Sequence, residues 1–112
     1  WRATEAGIEA AKPGARACDL FNTMSRVMSE FSQESGDIGR IGHGLGIQLT
    51  EQPSVASFDE TVLEENMVLT LEPSLSYGAG LMMVHEENIV VTPSGGRLLT
   101  ERASADLPVL FD

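Results

Sequence analysis

The chain holds two histidines, and the first, His43, lies inside Gly42-His43-Gly44-Leu45-Gly46. Glycine opens backbone conformations closed to other residues and lets the chain come close to a ligand or another strand. An imidazole in that setting is a candidate for chemistry, although the same string also serves a tight turn with an incidental histidine. Glu72 closes the run Met67-Val68-Leu69-Thr70-Leu71, directly before Pro73. With a side-chain period of two it shares a face with Val68 and Thr70, while Met67, Leu69 and Leu71 take the other. A carboxylate beside a β-branched row is costly unless paired, hydrogen-bonded or bound to a metal. The plainer reading is a solvated glutamate at a frayed strand end. His85-Glu86-Glu87-Asn88 precedes Ile89-Val90-Val91. Alternation puts Glu86, Asn88 and Val90 on one face and His85, Glu87, Ile89 and Val91 on the other.

Only one of these two glutamates can therefore join His43 and Glu72. One imidazole and two carboxylates suit Mn, Fe, Co or Zn. A divalent ion acidifies water toward neutrality and a neighbouring carboxylate shuttles the proton, which is hydrolytic chemistry. The spacings, 29 residues from His43 to Glu72 and 14 from Glu72 to Glu86, belong to no local metal motif. His85 is expected to pack or hydrogen-bond, or to contact substrate. Cys18 lies beside an apolar helical stripe with no histidine nearby and reads as a buried structural thiol. The acidic run from Asp59 to Glu65 reads as a solvated turn.

The elements that must position these residues divide in two. Thr4 is a plausible N-cap for a short helix that stops at Pro13-Gly14. From Ala15, the residues Leu20, Phe21, Met24, Val27, Met28 and Phe31 form one continuous stripe on a second helix. Ser32 to Asp37 is polar and aperiodic, so the helix ends there and a loop carries the chain into Gly39-Arg40-Ile41-Gly42. Strand patterns follow at 47–50, 67–72, 81–84 and 86–92, and Pro93-Ser94-Gly95-Gly96 makes a turn before Leu98-Leu99. The expected fold is α+β, with two N-terminal helices packed on a mostly antiparallel sheet, in a single domain over 1–112.

Seven basic and seventeen acidic side chains give a formal charge of −10. That sign disfavours nucleic acid and anionic membrane as partners. No apolar run approaches the roughly 18 residues needed to span a bilayer. A lone cysteine precludes an internal disulfide and suits a reducing, cytoplasmic compartment. The chain starts at Trp1, without an initiator Met, straight into a helical pattern, and is expected to be part of something longer.

In this order, Gly42-His43-Gly44-Leu45-Gly46, Met67-Val68-Leu69-Thr70-Leu71-Glu72-Pro73 and Glu86-Glu87-Asn88-Ile89-Val90-Val91-Thr92, closed by Leu98-Leu99-Thr100, resemble a known family. They are similar to the C-terminal part of the pita-bread metallohydrolases: methionine aminopeptidase, aminopeptidase P, prolidase and creatinase. The resemblance runs from about Ala6 to Thr100. It implies that His43 and Glu72 bind one metal, that Glu72 also shuttles the proton, and that Glu86 bridges two metals. It implies an Xaa-Pro dipeptidase or aminopeptidase acting through two divalent ions, Mn, Co, Fe or Zn, on a peptide or small metabolite, within a homo-oligomer such as a dimer. Thr50 stands where family peptidases usually carry a substrate-contacting histidine. Asn66 and Ser74 replace common glycines. Two aspartate ligands that the family supplies upstream have no counterpart, so the ion sites are expected to be incomplete or empty in this chain and the isolated piece inactive. Gln48-Leu49-Thr50-Glu51 and His85-Glu86-Glu87-Asn88 look most like the Xaa-Pro peptidase-like and ectoine hydrolase branch. A metal-free creatinase-like hydrolase and a pseudo-peptidase binding module are the alternatives.

Overall fold

The computed structural model describes residues 1–31 and 39–111, so the polar stretch from Ser32 to Asp37 lies outside the described residues. Helices α1 (Arg2–Ala10) and α2 (Ala17–Ser29) precede seven strands: β1 (Arg40–Gly44), β2 (Glu51–Ala56), β3 (Val68–Leu71), β4 (Ser74–Ser76), β5 (Met82–Val84), β6 (Glu87–Thr92) and β7 (Gly95–Leu98). Five of them form an antiparallel sheet in the order β2-β1-β3-β6-β7, and β4 pairs with β5 as a separate ribbon. The α+β architecture read from the pattern is the architecture observed.

Both helices cover one face of the sheet. Leu20, Met24 and Met28 of α2 pack with Ile41, Val55, Leu69, Leu71, Ile89 and Val91 in one buried cluster. Each such side chain contributes about 1.5–3 kcal/mol by leaving water. Phe21 and Val27 are partly buried against that cluster, whereas Phe31, beyond the end of α2, is exposed. Thr4 is not the cap of α1. The helix already runs from Arg2, and the buried Thr4 hydroxyl donates back to the Trp1 carbonyl at 2.7 Å instead of accepting a forward N–H. Helix α2 starts at Ala17 because Arg16 is extended and bridges to Val62. The Asp19 carboxylate then accepts the Arg16 N–H at 3.1 Å.

The strand reading needs correction at residues 40–56. The segment 45–50 is irregular, with Ile47 and Leu49 exposed, and the strands flank it. Alternation at 47–50 has no surface to bury against, so it carries no strand. The glycine string around His43, which could have served a tight turn, is instead strand as far as Gly44, as the end of β1. A Cβ on Gly42 would fall on the Thr70 carbonyl oxygen of β3, and one on Gly44 on the Gln52 carbonyl oxygen of β2. Glycine thus permits close backbone approach within the sheet rather than a turn. Elsewhere, Asn66 takes the left-handed φ of 73° that asparagine tolerates, and Pro93-Ser94 turns β6 into β7.

After β7 the chain returns to α1. The Arg102 guanidinium lies 3.7 Å from the Trp1 ring centroid and pairs with Glu5. The Trp1 indole N–H donates to the Ala103 carbonyl at 3.0 Å, while Leu107, Val109, Leu110 and Phe111 are exposed. Among the described residues no helix is long and apolar enough to cross a membrane.

Candidate metal centre

Three side chains cross the sheet in register: His43 of β1 lies opposite Thr70 of β3, which lies opposite Asn88 of β6. Cross-strand partners share a face, and with Leu69 and Leu71 in the core this row lies on the face away from the helices. One step beyond the last ladder pair, Leu71 and Glu87, the strands bring Glu72 beside Glu86. The backbone pins that step from both sides: Glu72 N–H donates to Ile41 O at 2.9 Å, and His85 N–H to Pro73 O at 3.2 Å.

His43 is 6% exposed, and its Nδ1 lies 2.8 Å from the Gly44 carbonyl oxygen. A carbonyl only accepts, so Nδ1 carries a proton, and in the neutral tautomer the lone pair is on Nε2. That nitrogen is 3.7 Å from Glu72 Oε1. An imidazole lone pair and a carboxylate oxygen facing each other repel unless a cation or proton lies between them. An imidazole fixed by its other nitrogen on a backbone carbonyl is also how metal-binding histidines are commonly oriented. The donor set therefore fits a divalent ion. Arg40 Nε stands 3.8 Å from the same Glu72 oxygen. Glu86 is exposed, and its Oε1 accepts from the Thr70 hydroxyl at 3.3 Å.

His43 and Glu72 converge, while Glu86 lies on the adjoining strand end, turned toward Thr70. Among the described residues no three His, Cys, Asp or Glu side chains close around a single point. The structure does not bring His85 to this face: its Nε2 is 3.3 Å from Oε1 of Glu87, which is 3% exposed and also accepts the Ala103 N–H at 3.2 Å. That pair serves packing against the chain's own tail. Thr50 is exposed in the irregular segment 45–50, and Cys18 is a buried free thiol. The acidic run is not wholly a solvated turn. Asp59 accepts the Ser54 N–H at 2.7 Å and the Thr61 N–H at 2.9 Å. Burial pushes its carboxyl up, but the bonds from Thr61 and Ser54 together outweigh that and hold it below its ordinary value.

Sequence reasoning gave no role to Thr70, Asn88 or Arg40. The available signal was parity, since Thr70 and Asn88 each stand two positions from a candidate acid on the same face.

Helices on one face of an antiparallel sheet, with an imidazole and two acids along the other, define a piece of a pita-bread hydrolase domain. Residues 1–93 match Metallopeptidase family M24, and the chain belongs to that family. It is 36% identical over 100 residues to the Xaa-Pro dipeptidase of Pyrococcus furiosus, covering 88% of this chain and 28% of that protein. With the Xaa-Pro dipeptidase of Lactobacillus delbrueckii subsp. lactis it shares 34% identity over 108 residues, 96% of this chain and 29% of the relative. The crystal structure of the prolidase from Pyrococcus horikoshii OT3 matches with a TM-score of 0.83 at 32% identity, over 93% of this chain and 30% of that one. The chain thus spans less than a third of the length of these relatives.

Proposed function

We propose that this chain is the C-terminal part of a metal-dependent hydrolase that cleaves the bond to the proline nitrogen of an Xaa-Pro dipeptide, with His43, Glu72 and Glu86 as ligands. The observation that carries the reading is His43 Nε2 facing Glu72 Oε1 across 3.7 Å. Its support from kinship is membership of the metallopeptidase family and similarity to proteins named Xaa-Pro dipeptidase.

When bound, divalent ions supply Lewis acidity to the scissile carbonyl and lower the pKa of the attacking water. His43 contributes Nε2, its tautomer fixed by the bond from Nδ1–H to Gly44 O. Glu72, partly exposed, takes a proton from the attacking water and hands it to the leaving nitrogen as the C–N bond breaks. Glu86, across from it, supplies the second carboxylate.

The experiment is hydrolysis of an Xaa-Pro dipeptide by the full-length protein before and after chelation. Loss of activity with chelator and recovery with Mn or Co supports the reading. Activity indifferent to chelation overturns it in favour of a metal-free reaction.

A further inference from the structure

The Thr70 hydroxyl occupies the centre of the candidate site with two neighbours and one proton to give. Thr70 is 1% exposed, so water does not compete for that proton. Its Oγ1 lies 3.3 Å from Glu86 Oε1 and in hydrogen-bond contact with Asn88 Oδ1. Both partners, so oriented, are acceptors, and a hydroxyl donates only once. Turning the Asn88 amide over costs no space, since its oxygen and nitrogen have nearly the same shape. Asn88 Nδ2–H then donates to Thr70 Oγ1, and Thr70 Oγ1–H donates to Glu86 Oε1. The Thr70 hydroxyl then accepts once and donates once, and the direction of its proton is fixed.

We infer that Thr70 is a positioning residue for Glu86 and that Asn88 sets the direction of its hydroxyl. This deepens, and rests on, the reading of Glu86 as a metal-binding carboxylate. Glu86 is exposed at a strand end and by itself free to swing. Thr70 is β-branched, stiff at χ1, and held between β1 and β6, with His43 opposite it on one side and Asn88 on the other. One bond from so rigid a donor holds Oε1 and leaves Oε2 as the oxygen available to an ion. Groups that orient a ligand in this way typically change metal affinity or activity by about 10–100-fold.

The test uses the full-length protein, with Mn2+ affinity measured by calorimetry beside steady-state hydrolysis of an Xaa-Pro dipeptide. Thr70→Val keeps volume and branching but removes the hydroxyl. Mn2+ affinity and kcat are each expected to fall about 10-fold, with KM within about twofold. Thr70→Ser is expected to restore both to within about threefold, which a purely packing role for the threonine methyl would not allow. Asn88→Ala is expected to cost about threefold in the native background and nothing further on top of Thr70→Val, because it acts through that hydroxyl. Wild-type affinity and kcat in Thr70→Val, or a Thr70→Ser variant as impaired as Thr70→Val, overturns the inference. If Thr70→Val does not fold, Thr70→Ser and Asn88→Ala decide it, and an Asn88→Ala protein equal to wild type overturns it. Glu86→Gln run in parallel separates the two levels. If it binds Mn2+ and turns over normally, the reading of Glu86 fails; if it is inactive while Thr70→Val is normal, only the positioning fails.

Discussion

Glu86 and Glu87 are neighbours in sequence and a whole sheet thickness apart in role. Glu86 shares the open face with Thr70 and Asn88, while Glu87 is buried with His85 and the Ala103 N–H. In the full-length protein Glu86→Gln should lower hydrolysis by about 100-fold. Glu87→Gln should leave kcat within about threefold, since a glutamine oxygen still accepts the Ala103 N–H, and should instead lower the unfolding temperature. The reverse pattern in steady-state kinetics would remove the face assignment. At this scale the sequence was legible where period two applies within one strand, as at Glu72 and at Glu86 against Glu87. It was silent on Thr70, because the bond to Glu86 depends on register between segments sixteen residues apart, which no local pattern encodes.

At the scale of elements, β1 is the informative case. Glycine weakens a strand intrinsically, so residues 40–44 carry no strand signal, yet Gly42 and Gly44 admit the neighbouring backbones that make β1 a central strand. Gly42→Ala should cost about 1–3 kcal/mol by forcing β3 away, visible as a lower unfolding midpoint. Gly39→Ala, where an added Cβ meets nothing within 4 Å, should leave the midpoint in place. The stripe of α2 was readable because its own period meets the core; β2 was not, because Pro53 argues against a strand and only its position at the sheet edge permits one. Asp59 ties that edge strand to the chain beyond it by accepting from Ser54 and Thr61. Its carboxyl is held below its ordinary value, so the stabilisation is complete above the unfolded value near 4 and is lost as pH falls through the folded value. The difference in unfolding temperature between wild type and Asp59→Asn should therefore be full at neutral pH and shrink in acid. A gap independent of pH would show that the carboxylate charge is not what holds the edge.

For the whole molecule, the fold class was legible because helices precede strands and each run is bounded by Gly, Pro, Ser or Asn. The incompleteness of the donor set follows from the family resemblance, which provides for two further aspartates. Calorimetry on this chain alone with Mn2+ or Co2+ should accordingly find weak binding or none. Tight uptake of two ions would mean that His43, Glu72 and Glu86 suffice, or that other side chains take part.

The clasp between Arg102, Trp1, Glu5 and Ala103 ends on Glu87, one position from the candidate acid Glu86. The start of α1 and the segment after β7 are thus tied together and, through Ala103, to the strand next to Glu86. Cleavage of the full-length protein near residue 102 should release the Ala103 N–H from Glu87 and loosen that strand.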